Sequence, residues 1–496
     1  MRIRWASLCV LLACQPEPES FVFPSPDASP SWWADGPSVS FSGDALWEQC
    51  VFLNGDEEAD SGHHNLVLPY RGQMVMPWAK ESGEGGVSLF DVSDPCAPVK
   101  MGETLSSSMR ETHAMGFVHL REGEANAGDW AVTTSMDGVE FWDLSDSANP
   151  EVVSVLGLPG VLYPDAYARV VLSLSWQYPW LYVGAADNGI YVVDATNPRQ
   201  PEVVSHFTLD VPLRVGGVFA RGDRLFVTAA EGREALFLDL QDPAEPQLVP
   251  GARFTVLNGN GIPREFYHAN WVGDLALFTI KEDGGGLVVY DVANEQNPQH
   301  LGGLSTEYGN GGYVFYDEGL AFLGDSLEGM IIDLEEVTQP VISGSAVLFG
   351  DVDTFTPYGN IAVLSVDEEG VKGEASSVLA WTEEPDTTAP ELMSTRPVDG
   401  AVDVAPSTCI GMSFNEFIEP SSVFSGSIRL VVEDEDRGVD AWGSAQENTA
   451  FLCPKAPLEA DTRYRVEIQA SGVMDINANR FEETQSFSFT TQGAWD

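Results

Sequence analysis

The chain has 496 residues, of which 44% are hydrophobic, and a formal net charge of −52 from 76 acidic and 24 basic side chains. Its length is enough for two well-buried cores. The charge excludes nucleic acid and anionic membrane surfaces as partners, because both attract a basic surface and repel an acidic one. The acidic residues are spread along the chain, so we interpret them as a solubilising surface.

The N-terminal residues are typical of an export signal. Two arginines precede a short apolar run over residues 5–13, which ends abruptly at Cys14. Residues 11–14 resemble a bacterial lipobox, which implies that Cys14 is lipidated; an ordinary signal peptide is the alternative. With Gln15 next, the resemblance implies an outer-membrane or cell-surface lipoprotein of a Gram-negative-type bacterium. No later stretch approaches the roughly 20 apolar residues of a membrane span, so we expect contact with the membrane only through the lipid.

Residues 15–45 are rich in proline, serine and aspartate. Such a segment cannot bury enough apolar surface to fold by itself, so it predicts a semi-extended tether.

From residue 46 to residue 383 the chain repeats a phrase of three apolar residues, an aspartate and a turn that usually contains proline. The intervening runs of β-branched and aromatic residues are typical of strands. A period of about 40 to 50 residues is typical of a closed array of small sheets. This region therefore predicts a β-propeller, with seven blades favoured and six possible. The phrase ends at Asp91, Asp143, Asp194, Asp239, Asp291 and Asp333.

These aspartates invite a catalytic interpretation, but the turn that follows each of them favours a structural one. A carboxylate at this position can accept backbone N–H groups of the turn, and proline cannot continue a paired strand. We therefore predict six blade-turn caps. Over residues 64–383 the phrase resembles the LVIVD repeat of bacterial cell-surface propellers.

The C-terminal region follows a linker at residues 384–391. Alternating apolar and polar residues with turns at short intervals over residues 392–496 predict a β-sandwich. Residues 386–491 resemble the bacterial Ig-like domain of S-layer proteins (SbsA-type), which implies a spacer and binding module. The fold class expected for the whole chain is thus all-β, a propeller followed by an Ig-like β-sandwich.

Four cysteines outside the signal are disulfide candidates: Cys50, Cys96, Cys409 and Cys453. Three pairings are possible. Pairing within each region, Cys50 with Cys96 and Cys409 with Cys453, is the most economical. A metal site is the alternative, but the chain has no Cys-x-x-Cys spacing.

A candidate ligand site is predicted at the central channel, which the innermost strand of each blade lines. Three histidines lie shortly before the second strand of their blades, and two arginines have equivalent positions in other blades, so the five side chains could converge at one mouth of the channel, where they would hold an anion or a metal ion. Unrelated surface histidines are the alternative. The residues are His64, His113, Arg169, Arg214 and His268.

Calcium motifs are weak in this sequence. The segment from Asp475 to Asn479 resembles the start of an EF-hand loop, but the required glycine and glutamate are replaced by Arg480 and Ser486. We predict a polar turn there and no cofactor. Weak Ca²⁺ binding by acidic clusters such as residues 433–436 is the only exception.

No nucleophile elbow, zinc-binding His-Glu-x-x-His or phosphate-binding loop occurs in the sequence. We therefore expect a non-enzymatic, lipid-anchored surface protein, in which the propeller binds a protein or glycan partner and the Ig-like domain is a spacer. One alternative is a metal-dependent hydrolase that uses His64, His113 and His268. Another is a purely structural component of the envelope.

Overall fold

The computed structural model describes residues 20–26, 49–52, 66–79, 84–94, 97–161, 169–281, 284–307, 309–366, 376–380 and 386–493. Cys14, His64 and Cys96 lie outside these residues, so lipidation, the first channel histidine and the Cys50–Cys96 pairing stay predictions. No helix in the described ranges is long and apolar enough to cross a membrane.

The described chain consists of strands and one 3-10 turn at Pro420–Ser422. The first thirteen strands are β1 (Gln49–Phe52), β2 (Leu68–Tyr70), β3 (Gln73–Ala79), β4 (Gly85–Asp91), β5 (Val99–Ser106), β6 (Met115–Leu120), β7 (Gly128–Thr134), β8 (Gly138–Asp143), β9 (Glu151–Gly157), β10 (Ser173–Gln177), β11 (Trp180–Gly184), β12 (Ile190–Asp194) and β13 (Glu202–Phe207). The next fourteen are β14 (Val215–Arg221), β15 (Arg224–Ala229), β16 (Glu234–Asp239), β17 (Gln247–Leu248), β18 (Phe254–Thr255), β19 (Phe266–Val272), β20 (Leu275–Ile280), β21 (Gly286–Asp291), β22 (Gln299–Ser305), β23 (Gly311–Asp317), β24 (Leu320–Asp333), β25 (Val341–Tyr358), β26 (Ile361–Val366) and β27 (Ser376–Ala380). The last nine are β28 (Leu392–Arg396), β29 (Ala401–Val404), β30 (Ile410–Phe414), β31 (Ile428–Val432), β32 (Arg437–Val439), β33 (Ala441–Gln446), β34 (Thr449–Pro454), β35 (Arg463–Ile468) and β36 (Gln485–Thr491).

The first 27 strands form a seven-bladed propeller, which confirms the predicted fold. Five successive antiparallel sheets, β2 to β5, β6 to β9, β10 to β13, β14 to β18 and β19 to β22, are the first five blades. The sixth and seventh blades are joined in one six-stranded sheet, because β25 is long enough to be the outer strand of the sixth blade and the inner strand of the seventh. β1 pairs with β27 and is the outer strand of the last blade. The two ends of the propeller sequence therefore close the ring together, which leaves no open edge between the first and last blades.

The repeated aspartates cap the turns between the third and fourth strands of their blades. Each carboxylate accepts a hydrogen bond from the backbone N–H two residues further on. The bonds join Asp91 to Ser93 (2.8 Å), Asp143 to Ser145 (3.0 Å), Asp194 to Thr196 (2.9 Å), Asp239 to Gln241 (2.7 Å), Asp291 to Ala293 (2.9 Å) and Asp333 to Glu335 (2.8 Å). The six side chains therefore hold the turns that lead into the outer strands and do not meet at a common site.

Residues 386–493 form a sandwich of two sheets, with strand orders β28-β30-β34-β33 and β29-β36-β35-β31-β32. Its core contains side chains from both sheets, such as Met412, Phe414, Leu430 and Phe487. Cys409 and Cys453 form a disulfide bond beside the paired strands β30 and β34.

The N-terminal segment 20–26 lies against the edge strand β32 of this sandwich. The N–H of Phe21 donates to the carbonyl of Gly438 (3.0 Å), and the N–H of Gly438 donates to the hydroxyl of Ser20 (3.1 Å). The guanidinium group of Arg429 lies 5.4 Å from the centre of the Phe23 ring. This part of the predicted tether therefore runs along the Ig-like domain and does not extend freely.

Candidate functional site at the two ends of the propeller channel

The innermost strands of the blades lie side by side around the channel, and each ends in a turn that meets the Ig-like domain. All seven turns make such a contact. They pair Arg71 N with Glu419 Oε2 (3.0 Å), the Arg121 guanidinium with the Phe424 ring (3.8 Å), Tyr178 N with Ser444 Oγ (3.2 Å), Arg221 Nη1 with Ser394 Oγ (3.1 Å), Gly273 N with Ser413 Oγ (2.8 Å), Glu318 N with Asn415 O (2.8 Å) and Gly359 with the side chain of Asn477. One face of the propeller is therefore covered by the Ig-like domain.

The hairpin between β33 and β34 closes the channel on this face. Gln446 accepts a hydrogen bond from Trp176 N (2.9 Å) and donates one to Leu174 O (3.2 Å). The next two residues bind two further inner strands. The Glu447 carboxylate accepts from Asn270 Nδ2 (3.2 Å), and Asn448 Nδ2 donates to the backbone carbonyl of Tyr316 (3.0 Å).

These contacts correct the expectation that the Ig-like domain is a spacer. A spacer would extend away from the propeller, whereas this domain is docked on it. The physical reason is that the hairpin satisfies backbone groups of the inner strands that would otherwise lack partners inside the channel.

The opposite end of the channel, which we call the Ig-distal face, carries the connections that precede the inner strands. Here the structure brings His113 and His268 together around Tyr313. The Nδ1 atom of His113 lies 2.9 Å from the Tyr313 hydroxyl, and the rings of His268 and Tyr313 have centres 4.4 Å apart. The Tyr267 hydroxyl lies 3.4 Å from the same Nδ1 atom. Two of the predicted site residues thus share one cluster.

The charges beside this cluster are arranged in a buried row. The Nε2 atom of His113 lies 3.5 Å from a carboxylate oxygen of Glu111, whose other oxygen lies 3.7 Å from Arg110. Burial, and secondarily the nearby His113, lower the pKa of His268 to about 3. His268 is therefore neutral at physiological pH, as an imidazole that binds a metal ion must be.

The two predicted arginines lie at the same end but outside the cluster. Arg214 forms an ion pair with Glu231 (2.8 Å), which also pairs with Lys281 (2.6 Å). The ammonium group of Lys281 lies 4.6 Å from the centre of the Tyr267 ring. Arg169 is exposed in the connection before β10. The arginines therefore belong to the rim of the Ig-distal face and not to the centre of the channel.

The channel between the two ends is narrow. The cavity lined by His113, His268 and Tyr313 at one end and by Gln446 and Glu447 at the other has a volume of about 20 Å³. This is room for about one water molecule. Among the described residues, the histidines do not belong to any group of three side chains spaced to hold a metal ion.

Several residues of these two ends were not singled out from the sequence. Glu111, Tyr267 and Tyr313 are polar residues at the start of inner strands, and that position was the signal that could have identified them. Gln446 and Glu447 had no such signal, because their role depends on how one domain docks on the other.

Comparison with known protein families identifies the C-terminal part of the chain. Residues 386–491 match the family described as bacterial Ig-like domain, whose members occur in bacterial surface proteins. The described sandwich is thus identified as such a domain. A search of curated proteins gave no match.

Three solved structures similar to this chain each cover about two thirds of it. The computationally designed Ika8 protein has a TM-score of 0.43 and 12% identity, over 67% of this chain and 99% of that one. The WD40 domain of Toxoplasma gondii coronin has a TM-score of 0.45 and 12% identity, over 71% and 90%. Raptor of Chaetomium thermophilum has a TM-score of 0.47 and 11% identity, over 67% and 29%. Identities this low concern the fold alone.

Proposed function

We propose that this chain is a non-enzymatic surface protein whose LVIVD-type propeller binds a protein or glycan partner with its Ig-distal face. The observation that carries the proposal is that all seven turns on the other face contact the Ig-like domain. A partner must therefore approach the Ig-distal face or the outer sides of the blades. Of these, the Ig-distal face combines aromatic side chains with charged groups of both signs, a composition suited to recognition.

The alternative, a metal-dependent hydrolase working in the channel, is less well supported. Such an enzyme needs a cavity that admits its substrate, whereas the space beside His113 and His268 holds about one water molecule. The binding role needs no such cavity, because a partner can lie across the rim formed by Arg214, Glu231 and Lys281.

Charge reversal on the rim tests the binding face. We expect the double variant Arg214→Glu, Lys281→Glu to weaken partner binding at least about tenfold, because it places repulsive charge on the contact surface. The probes are an array of neutral and acidic oligosaccharides and intact cells that lack the gene, both incubated with the labelled protein. The matched control, Arg463→Glu with Arg465→Glu, reverses two charges on the Ig-like domain and should bind like the wild type. Loss of binding in the control alone would assign recognition to the Ig-like domain.

We further propose that the chain is exported and anchored through a lipid on Cys14. Replacement of this cysteine by serine (Cys14→Ser) should release the protein from the membrane fraction, because a non-lipidated chain has only its signal residues to hold it there. Cys9→Ser, within the same signal, is the control and should leave the protein membrane-bound. Fractionation followed by immunoblotting measures both. A Cys14→Ser variant that fractionates like the wild type would contradict the anchor.

A further inference from the structure

A cluster of three carboxylates lies where the linker, the Ig-like domain and the sixth blade meet. Asp386 lies in the linker, Glu416 follows β30, and Asp475 lies in the connection between β35 and β36. One carboxylate oxygen from each residue lies within 4.8 Å of the other two. The three residues are distant in sequence, so the fold alone brings them together.

Two of the three carboxylates in this cluster are buried. Glu416 is 3% exposed and Asp475 is fully buried. The Oε1 atom of Glu416 is buried and has no hydrogen-bond partner in the described part of the chain. A buried group of this kind needs either a proton or a bound cation.

We propose that Asp386, Glu416 and Asp475 bind one calcium ion. Calcium takes oxygen ligands at about 2.3–2.6 Å, so two ligands on opposite sides of the ion are up to about 5 Å apart. The oxygens of this cluster lie within that span. Magnesium prefers octahedral geometry at about 2.0–2.1 Å and usually keeps several waters, so a buried group of protein carboxylates suits calcium better.

The local structure holds one of the three ligands in position. Oδ1 of Asp475 accepts the backbone N–H groups of Asn477 and Asn479, each at 2.8 Å. The Asn479 side chain donates to Oδ2 of Asp475 (2.8 Å) and to the backbone carbonyl of Asp386 (3.2 Å). A carboxylate has about four acceptor positions, so Asp475 can make these bonds and still bind a cation.

The position of the site indicates what the ion would do. Asp386 lies in the linker, Asp475 and Glu416 lie in the sandwich, and Asp317 at the end of β23 in the propeller lies nearby. A cation here would join the linker and the Ig-like domain beside the sixth blade. The docked arrangement would then depend on extracellular calcium.

Calcium titration of the whole protein tests the proposal. After the full chain is stripped with chelator, we expect calcium to bind with a stoichiometry of one at this site and to raise the thermal midpoint by about 2 °C or more. The Glu416→Gln variant should lose this shift and bind calcium at least about tenfold more weakly. Without calcium its midpoint should equal or exceed that of the wild type, because the neutral amide needs neither a proton nor a cation.

Two further variants keep the test decisive. Asp386→Asn changes a partly exposed ligand that is not part of either core, so it should fold and also lose the calcium response. Asp434→Asn removes an exposed carboxylate from the acidic cluster at residues 433–436 and should respond to calcium like the wild type. The proposal is overturned if about 10 mM calcium leaves the midpoint unchanged, if magnesium has the same effect, or if Glu416→Gln and Asp386→Asn keep the full calcium response.

Discussion

Replacing Arg221 by alanine is expected to lower the free energy of unfolding by about 4 kcal/mol, among the largest effects of any single substitution in this chain. Arg221 is 1% exposed at the end of β14. Its guanidinium group donates to the carbonyls of Gly273 and Trp271, both at 2.6 Å, and to the hydroxyl of Ser394 at 3.1 Å. It also lies 3.8 Å from the centre of the Trp271 ring.

The size of this effect has a specific cause. Burial, and then the neighbouring Arg396, lower the pKa of Arg221 to about 9, so the group remains charged at neutral pH. Alanine would leave two carbonyls and a hydroxyl without their donor and would open a cavity between two blades and the Ig-like domain. Methionine fills much of the cavity without burying a charge, so Arg221→Met should cost about half as much.

Urea unfolding followed by tryptophan fluorescence measures these differences. The matched control is Arg233→Ala. Arg233 is 48% exposed and lies 3.8 Å from Glu265, so its loss should change the free energy of unfolding by less than about 0.5 kcal/mol. A cost below about 1 kcal/mol for Arg221→Ala would show that the two blades and the Ig-like domain are not held together by this side chain.

Replacing Glu447 by glutamine is expected to stabilise the protein at pH 8 and to leave its stability nearly unchanged at pH 4. Burial raises the pKa of Glu447 from its usual value of 4.5 to about 7, although the bond from Asn270 opposes the change. Below pH 4.5 the group is protonated in the folded and the unfolded chain. Between pH 4.5 and 7 the unfolded chain loses this proton and the folded chain must keep it, and above pH 7 the folded chain buries a charge, so stability falls from pH 4.5 to about 7 and then levels off.

The expected gain follows from the same pKa difference. About 1.4 kcal/mol corresponds to one pKa unit, so the glutamine variant should gain up to roughly 3 kcal/mol at pH 8. Glutamine can still accept the bond from Asn270. Urea midpoints at pH 4, 6 and 8 measure the gain, and Glu151→Gln, on an exposed side chain, is the control. A gain that does not depend on pH would mean that Glu447 titrates normally in the channel.

The repeat and the Ig-like domain were predictable because both depend on local patterns. Strand alternation, turn residues and the aspartate before each turn can each be recognised in a segment of a few residues. The six hydrogen bonds from backbone N–H groups to these aspartates occur at the positions that this pattern predicts. The domain boundary near residue 386 follows from a change in composition and from a resemblance to a known domain.

The two parts of the candidate site could be predicted only to a limited degree. His113 and His268 were predicted to lie at one mouth because they have equivalent positions in their blades, which the repeat reveals. The arginines share that position, yet Arg214 turns to Glu231 on the rim. Side-chain partners of this kind depend on neighbouring blades and not on the residue's own segment.

Sequence alone determined that this chain is an all-β propeller joined to an Ig-like sandwich, because strand and turn preferences act over short distances and the repeat multiplies them. Only the tertiary structure decided that the sandwich docks on one face, with Glu447 in the channel. It alone also brought Asp386, Glu416 and Asp475 together. Both arrangements depend on contacts between segments that are far apart in the chain. The free energy of these contacts comes from packing and from buried charge, and no local sequence pattern encodes it.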